Sequence, residues 1–237
     1  MHPKETQTGG NRESFPETAW LTALSSKDPR RRRVLMERLC TLYWRPVYKF
    51  IRASWGKSVE NAKDLTQEFF AKIIDSDIIS RYDSSQGRFR HFLKGALRNF
   101  LAEAHRDAER QKRGGGAVTI PLDVDAMEID PNLTPEELYD LEWAEGLMAA
   151  SLSKLKKNLI DEGKELQFRA FEAYNAAETS YEQIAQSLNI PMHDVRNYIA
   201  RVRARLRDLV VERVSEYVAS PKEIEDELQQ LAKYLNR

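Results

Sequence analysis

Apolar residues recur along most of the chain at the three- and four-residue intervals of helices, and no stretch of useful length alternates as a strand would. Val34, Leu35, Leu39, Leu42, Val47 and Ile51 predict a helix over 30–53, after a shorter one over 18–26. Pro46 lies inside the longer helix and is expected to kink or divide it, because proline removes an amide donor and clashes with the preceding turn. A third helix is predicted from about Ser58, a plausible N-cap, to Ile74, with Ala62, Leu65, Phe69 and Ile73 as its stripe. The run "DSDIISRYDSSQGR" breaks the period and reads as a loop with one short turn. From Arg88 a long helix follows, with Phe89, Phe92, Leu93, Ala96, Leu97, Phe100 and Ala104 on one side.

"KRGGGAVTIPLDVDAMEIDPNLTPEE" interrupts this pattern with three glycines, three prolines and clustered acids, a composition that builds no core. Thr134 before Pro135 is an N-cap followed by proline at the first helical position. Helices resume through "ELYDLEWAEGLMAASLSKLKKNL" and "KELQFRAFEAYNAA". In "TSYEQIAQSLNIPMHDVRNYIARVRARLRDLV", Ile184, Ala185 and Leu188 form an inner face and residues 189–191 supply a turn. The next helix buries Val195, Ile199, Val202 and Leu206, which makes the pair a helix-turn-helix. "SPKEIEDELQQLAKYLNR" is a separate amphipathic helix capped by Ser220. The expected fold is all-α, two small helical domains joined by an acidic flexible linker, the second containing the helix-turn-helix. The boundaries are a disordered tail over 1–17, a first domain over 18–112, the linker over 113–134, a second domain over 135–218 and the C-terminal helix over 219–237.

Composition narrows the class. With 41% hydrophobic and 31% charged residues, the chain reads as soluble and has no run that could span a bilayer. The N-terminus has no signal-peptide stretch, and the single cysteine, Cys40, excludes an internal disulfide. Cys40 falls in an apolar pattern and reads as a core thiol. A cytoplasmic protein is expected, with no membrane partner, no cofactor and no metal. His193 has no Cys or His partner at ligand spacing.

The net charge of zero hides a segregation. Residues 81–113 are rich in Arg and Lys, residues 114–153 carry nine acids without one Lys or Arg, and residues 196–207 hold five arginines and no acid. Such blocks point to polyanionic partners more strongly than the sum does. On the face of the last helix opposite its apolar stripe lie His193, Asn197, Ala200 and Ala204. Arg196, Arg203 and Arg207 line one flank of that face, Arg201 and Arg205 the other. Small alanines let a helix approach a groove floor while flanking guanidiniums reach both phosphate walls, and the helix's N-terminal residues meet base edges. Asn197 suits adenine and Arg196 suits guanine; His193 fits a solvated cap residue better than a reader. An arginine-rich solvated helix in a bundle is the plain alternative.

The pieces "NAKDLTQEFFAKII" and "GRFRHFLKGALRNFLAEAHRDAERQKR", the acidic linker and the helix-turn-helix, in this order, resemble the extracytoplasmic-function (ECF) group of bacterial sigma factors over roughly residues 18–215. The "DLTQEFF" and "RGGG" spelling looks like the branch found beside Ser/Thr kinases. The resemblance implies a dissociable sigma factor that binds core RNA polymerase, at its clamp coiled coil and flap, and directs promoter-specific initiation. It is then not an enzyme, and promoter DNA is its second partner. A helix like 58–74 docks on the clamp, here through Glu60, Asn61, Asp64, Gln67 and Glu68. Segments like 75–112 melt and read the −10 element, here through Tyr82, Arg88, Lys94 and Arg98. The helix-turn-helix reads the −35 element, here through His193, Arg196, Asn197, Arg201, Arg203 and Arg205. The linker threads the polymerase toward the RNA exit path.

Departures from the family pattern matter. The family's Asp-Ala-Glu-Asp is "NAKD" here, residues 61–64, so Asn61 removes one negative charge and Lys63 reverses another. Phosphorylation of Thr66 would restore charge near Lys63; the simpler alternative is a flank residue beside sufficient acids. A Ser/Thr kinase and an anti-sigma factor are accordingly candidate regulators. Lys94 and Arg98, one turn apart, suit the phosphates of a separated strand. Tyr82 either stacks on an extruded base or caps the core. Phe92 stands near a position where the family often carries tryptophan. The competing reading is a stand-alone helix-turn-helix regulator of duplex operators, which has no need of the acidic helix or the linker. A nucleic-acid enzyme would need carboxylates or histidines gathered in a pocket, whereas the acids here lie in the linker or on amphipathic exteriors.

Overall fold

The computed structural model describes residues 29–55, 58–75, 78–83, 87–111, 129–176, 179–215, 218 and 221–235. Among them are eight α-helices, one short 3-10 turn and no strand. The helices are α1 (Pro29–Trp55), α2 (Val59–Asp75), α3 (Phe89–Gln111), α4 (Pro135–Asp161), α5 (Glu165–Ala176), α6 (Tyr181–Leu188), α7 (Met192–Ser215) and α8 (Pro221–Leu235). The 3-10 turn covers Ile79–Arg81, where one turn is expected. The expected helix over 18–26, the tail over 1–17, most of the linker and the Ser220 cap lie outside the described residues.

Pro46 does not divide α1, which runs unbroken past it. Leu39, Tyr43, Val47, Phe50 and Ile51 are all buried, and this packing on both sides of Pro46 outweighs the lost amide bond. In α2, Ser58 Oγ accepts from the Asn61 amide at 3.3 Å, and Ala62, Thr66, Phe69, Phe70 and Ile73 turn inward. Phe89, Leu93, Leu97, Phe100 and Leu101 do the same in α3.

α4 starts where the sequence predicts. Thr134 Oγ1 accepts from the Glu137 amide at 3.2 Å while the Glu137 carboxylate accepts from the Thr134 amide at 3.0 Å, with Pro135 opening the helix. Gly163 terminates it at φ 69°, a left-handed conformation in which a side chain would be strained. The Lys164 amide there donates to the Leu159 carbonyl at 2.7 Å and the Gly163 amide to Ile160 at 2.9 Å. Ser180 and Gln183 build the same capping box on α6, and Asn189 at φ 52° closes it into the turn before α7.

Among the described residues three apolar cores result. The first gathers α1, α2 and α3, and it also takes Tyr139, Trp143, Ala144 and Leu147 from α4, Val210 and Val214 from α7, Val218, and Leu231 from α8. The second holds Leu155 and Leu159 of α4, Phe168 and Phe171 of α5 and Val202 of α7. The third holds Ala170, Ile184, Val195 and Ile199. Residues from both of the expected domains thus meet in the first core. The N-terminal half of α4 lies along α1, and α7 touches all three cores. The physical reason is the stripe Tyr139, Trp143, Leu147, spaced by four, which a small second domain alone would leave in water. Cys40 packs half-buried against the first core, and burial raises its thiol pKa.

Candidate nucleic-acid interface

α7 is positioned by its inner face, Val195, Ile199 and Val202, seated on α5 and α6. That leaves His193, Arg196, Asn197, Ala200, Arg201, Arg203, Ala204 and Arg207 exposed on the other side, as the spacing predicts. The flanks are not alike. Arg196 lies over the ring of Tyr181 at 5.6 Å and Arg203 over Tyr174 at 4.9 Å. The two rings stack on each other with centroids 5.3 Å apart, so one flank has an aromatic floor that holds its guanidiniums. On the other flank Arg205 is engaged by Glu162 through two bonds, of 2.8 and 2.5 Å. The Arg205 guanidinium and then Lys164 hold the Glu162 carboxyl down at about 2. Arg205 is thus ion-paired within the chain, unlike Arg196 and Arg203, which lie over aromatic rings. His193 Nε2 lies 3.3 Å from the carboxylate of its neighbour Asp194.

The cations of α3 depart further from expectation. Lys94 is largely but not fully shielded against α4, with Asp140 Oδ1 and Oδ2 at 3.0 and 2.9 Å. Arg98 donates to Glu136 at 2.7 and 3.1 Å. Arg88 lies 3.2 Å from Glu227 and 3.6 Å from Asp226, both on α8. Arg88 and Lys94 are therefore shielded beneath acids, whereas Arg98 is paired with Glu136 but stays exposed. Between these pairs sits Arg90, fully buried, donating to Asp140 at 2.6 Å, Glu227 at 3.0 Å and Gln230 at 2.7 Å, with Trp143 stacked 4.3 Å away. Tyr234 donates to Asp140 at 3.2 Å. A third buried acid, Glu142, takes Arg45 at 2.9 Å and also pairs with Lys49.

Sequence reasoning missed this network although it left a signal. Arg90 precedes Leu93 and Leu97 by three and seven, and Glu227 lies three residues from Ile224 and four from Leu231. Both are charges on apolar stripes, positions that demand a buried partner.

Tyr82 takes the core-capping alternative. Its ring meets Phe89 edge-on at 5.2 Å and Phe92 at 5.4 Å, and its hydroxyl donates to the Gly87 carbonyl at 3.0 Å. On α2, Glu60, Asn61 and Glu68 are exposed and Asp64 and Gln67 half-buried, on the side opposite the core stripe. Thr66 does not belong to that surface. It is fully buried and its hydroxyl donates to the Ala62 carbonyl at 2.7 Å, so in this fold the oxygen is not presented to a kinase. The helical period explains the miss, since position 66 follows Ala62 by four and precedes Phe69 and Ile73 by three and seven.

No described helix is long and apolar enough to cross a membrane, and no described cluster of His, Cys, Asp and Glu is placed to hold a metal ion. Among the described residues the arrangement is all-helical, with an arginine-lined helix open to solvent and a second basic helix whose cations are paired with acids. The family model for the ECF sigma factor matches residues 17–211, and the chain belongs to that family. It is by family a sigma factor that directs transcription initiation, a non-enzymatic role whose implied partners are core RNA polymerase and promoter DNA. No curated protein and no solved structure matches the chain. α8 lies beyond the matched span.

Proposed function

We propose that the protein is a dissociable promoter-specificity subunit that works in the cytoplasm on core polymerase. The outward face of α7 is the observation that carries this. Alanines at its centre allow close approach, Asn197 and Arg196 stand near its N-terminus where base edges are read, and Arg201, Arg203 and Arg207 flank them. That helix reads the −35 element. Lys94 and Arg98 on α3, with Arg88 ahead of it, take the strand of an opened −10 element once their acids are removed. The acidic side of α2, Glu60, Asp64 and Glu68 with Asn61 and Gln67, meets the polymerase clamp, where opposite charge speeds and orients docking. The acidic linker occupies a basic channel until RNA displaces it.

Transcription reconstituted with bacterial core polymerase and a promoter library tests the reading. The full chain is expected to yield transcripts from a subset of templates. Asn197→Ala and Arg196→Ala are each expected to relax that selection, by about 1–3 kcal/mol of discrimination at the base pair concerned. A chain that never associates with core polymerase, yet binds intact duplex tightly by itself, overturns it.

A further inference from the structure

Four carboxylates are paired with the cations of and just before α3 that are read above as the partners of strand phosphates. Glu136 and Asp140 project from the first two turns of α4, Asp226 and Glu227 from α8, and together they engage Arg88, Arg90, Lys94 and Arg98. Lys94 is only 11% exposed, so a phosphate cannot reach it while Asp140 remains in place. We propose that α8 and the start of α4 are a tethered competitor of nucleic acid, which covers the cationic face of α3 in the free chain and is displaced when a strand or the polymerase claims that face. This rests on the reading of α3 as the −10 strand binder.

The build of the contact fits a closure that is made and broken. α8 is held by Leu231 in the first core with Ile224 and Leu228 beside it, while Glu227 is buried in the seam and Asp226 stays half-exposed. Burying Arg90 and Glu227 together strips both of water, and the ion pair offsets that loss only in part. An apolar seam of the same shape would hold more tightly but would not match a polyanion's binding surface. Covalent tethering gives α8 a high effective concentration, so a contact of modest intrinsic strength suffices to keep the face covered.

The test uses the full chain and a labelled, mixed-sequence single-stranded oligodeoxynucleotide, with binding followed by anisotropy across a salt series. The surface pair of substitutions Glu136→Gln and Asp226→Asn, and separately Glu227→Gln, are each expected to tighten binding. The gain is roughly tenfold if the open fraction rises from about a tenth to near one. The salt slope is expected to steepen by about 0.7 for each cation released to a phosphate. Hydrogen exchange on the unaltered chain needs no variant: saturation with the oligonucleotide is expected to speed exchange of the α8 amides. Affinity and slope unchanged in variants that still melt cooperatively, or α8 equally protected in the bound chain, overturns the closure. Arg98→Ala separates the two readings. If it weakens binding while the α8 variants change nothing, only the closure fails; if it has no effect in any background, the assignment of α3 fails first.

Discussion

Arg90 reaches Asp140, Glu227 and Gln230 while lying over the Trp143 ring, and it is fully buried. Replacing it by methionine leaves Glu227 and Asp140 with less compensation, and because α8 and the start of α4 can then open and hydrate them, the loss of stability in urea titrations is expected to be roughly 1–2 kcal/mol. Adding Glu227→Leu is expected to recover much of that, because an apolar pair of similar shape avoids the desolvation loss. His91, next to Arg90, supplies a pH test. Shielding of its imidazole from water, followed by the Arg90, Lys94 and Arg88 cations, pushes its pKa down to about 4 against the opposing pull of Asp140. Between its ordinary 6.5 and about 4 the unfolded chain binds a proton that the folded chain resists, so this residue makes stability fall as pH falls through that window. Much of His91 is exposed and screened, so the effect is modest. The His91→Gln chain is expected to lose less stability than the parent between about pH 7 and about pH 5. Glu162 speaks to function. Its removal as Glu162→Gln frees Arg205, and the logarithmic salt slope for binding duplex DNA is expected to steepen by about 0.9. An unchanged slope would mean that Arg205 contacts no phosphate.

At the level of elements, caps decide where the functional helices begin. The Thr134 capping box fixes the first turn of α4, the turn that carries Glu136. Thr134→Ala is expected to reduce stability by about 1 kcal/mol in thermal or urea unfolding. If α4's first turn covers α3, the same change also loosens the Arg98 pair. The Thr134 cap was legible in the sequence, since Thr-Pro-Glu-Glu announces itself locally, whereas the Ser180 box carries an equally local signal that the sequence reading passed over. The stripes of α2, α3 and α7 were legible as well, because period alone defines an inner face. What was not legible depends on which faces meet. Pro46 stays helical because residues on both sides of it are packed, and Tyr82 turns inward because Phe89 and Phe92 receive its ring. The pairing of α3 with acids far along the chain has no local signature beyond a charge on an apolar stripe. By helical period Lys94 and Arg98 look solvent-facing; only the position of α4 shows what faces them.

For the whole molecule, the shared first core has a consequence for cooperativity. α4 contributes Tyr139, Trp143 and Leu147 to the core of α1–α3 and Leu155 and Leu159 to the core it shares with α5 and α7. One rigid helix in two cores couples them, so the free chain is expected to unfold in a single calorimetric transition. Leu147 is the place to cut. An aspartate there would set an unpaired charge into the first core, and the least costly response is for the N-terminal half of α4 to leave α1. Leu147→Asp is therefore expected to split the transition in two, the α1–α3 unit melting apart from the helices around α7. Because the same half of α4 carries Glu136 and Asp140, that variant is also expected to expose Lys94, to release Arg98 from Glu136, and to bind single strands more tightly than the parent. One transition retained alongside full protection of α3 amides would show that α4 holds its place by other means. Two transitions without tighter strand binding would separate the architecture from the masking and leave α8 alone as the cover.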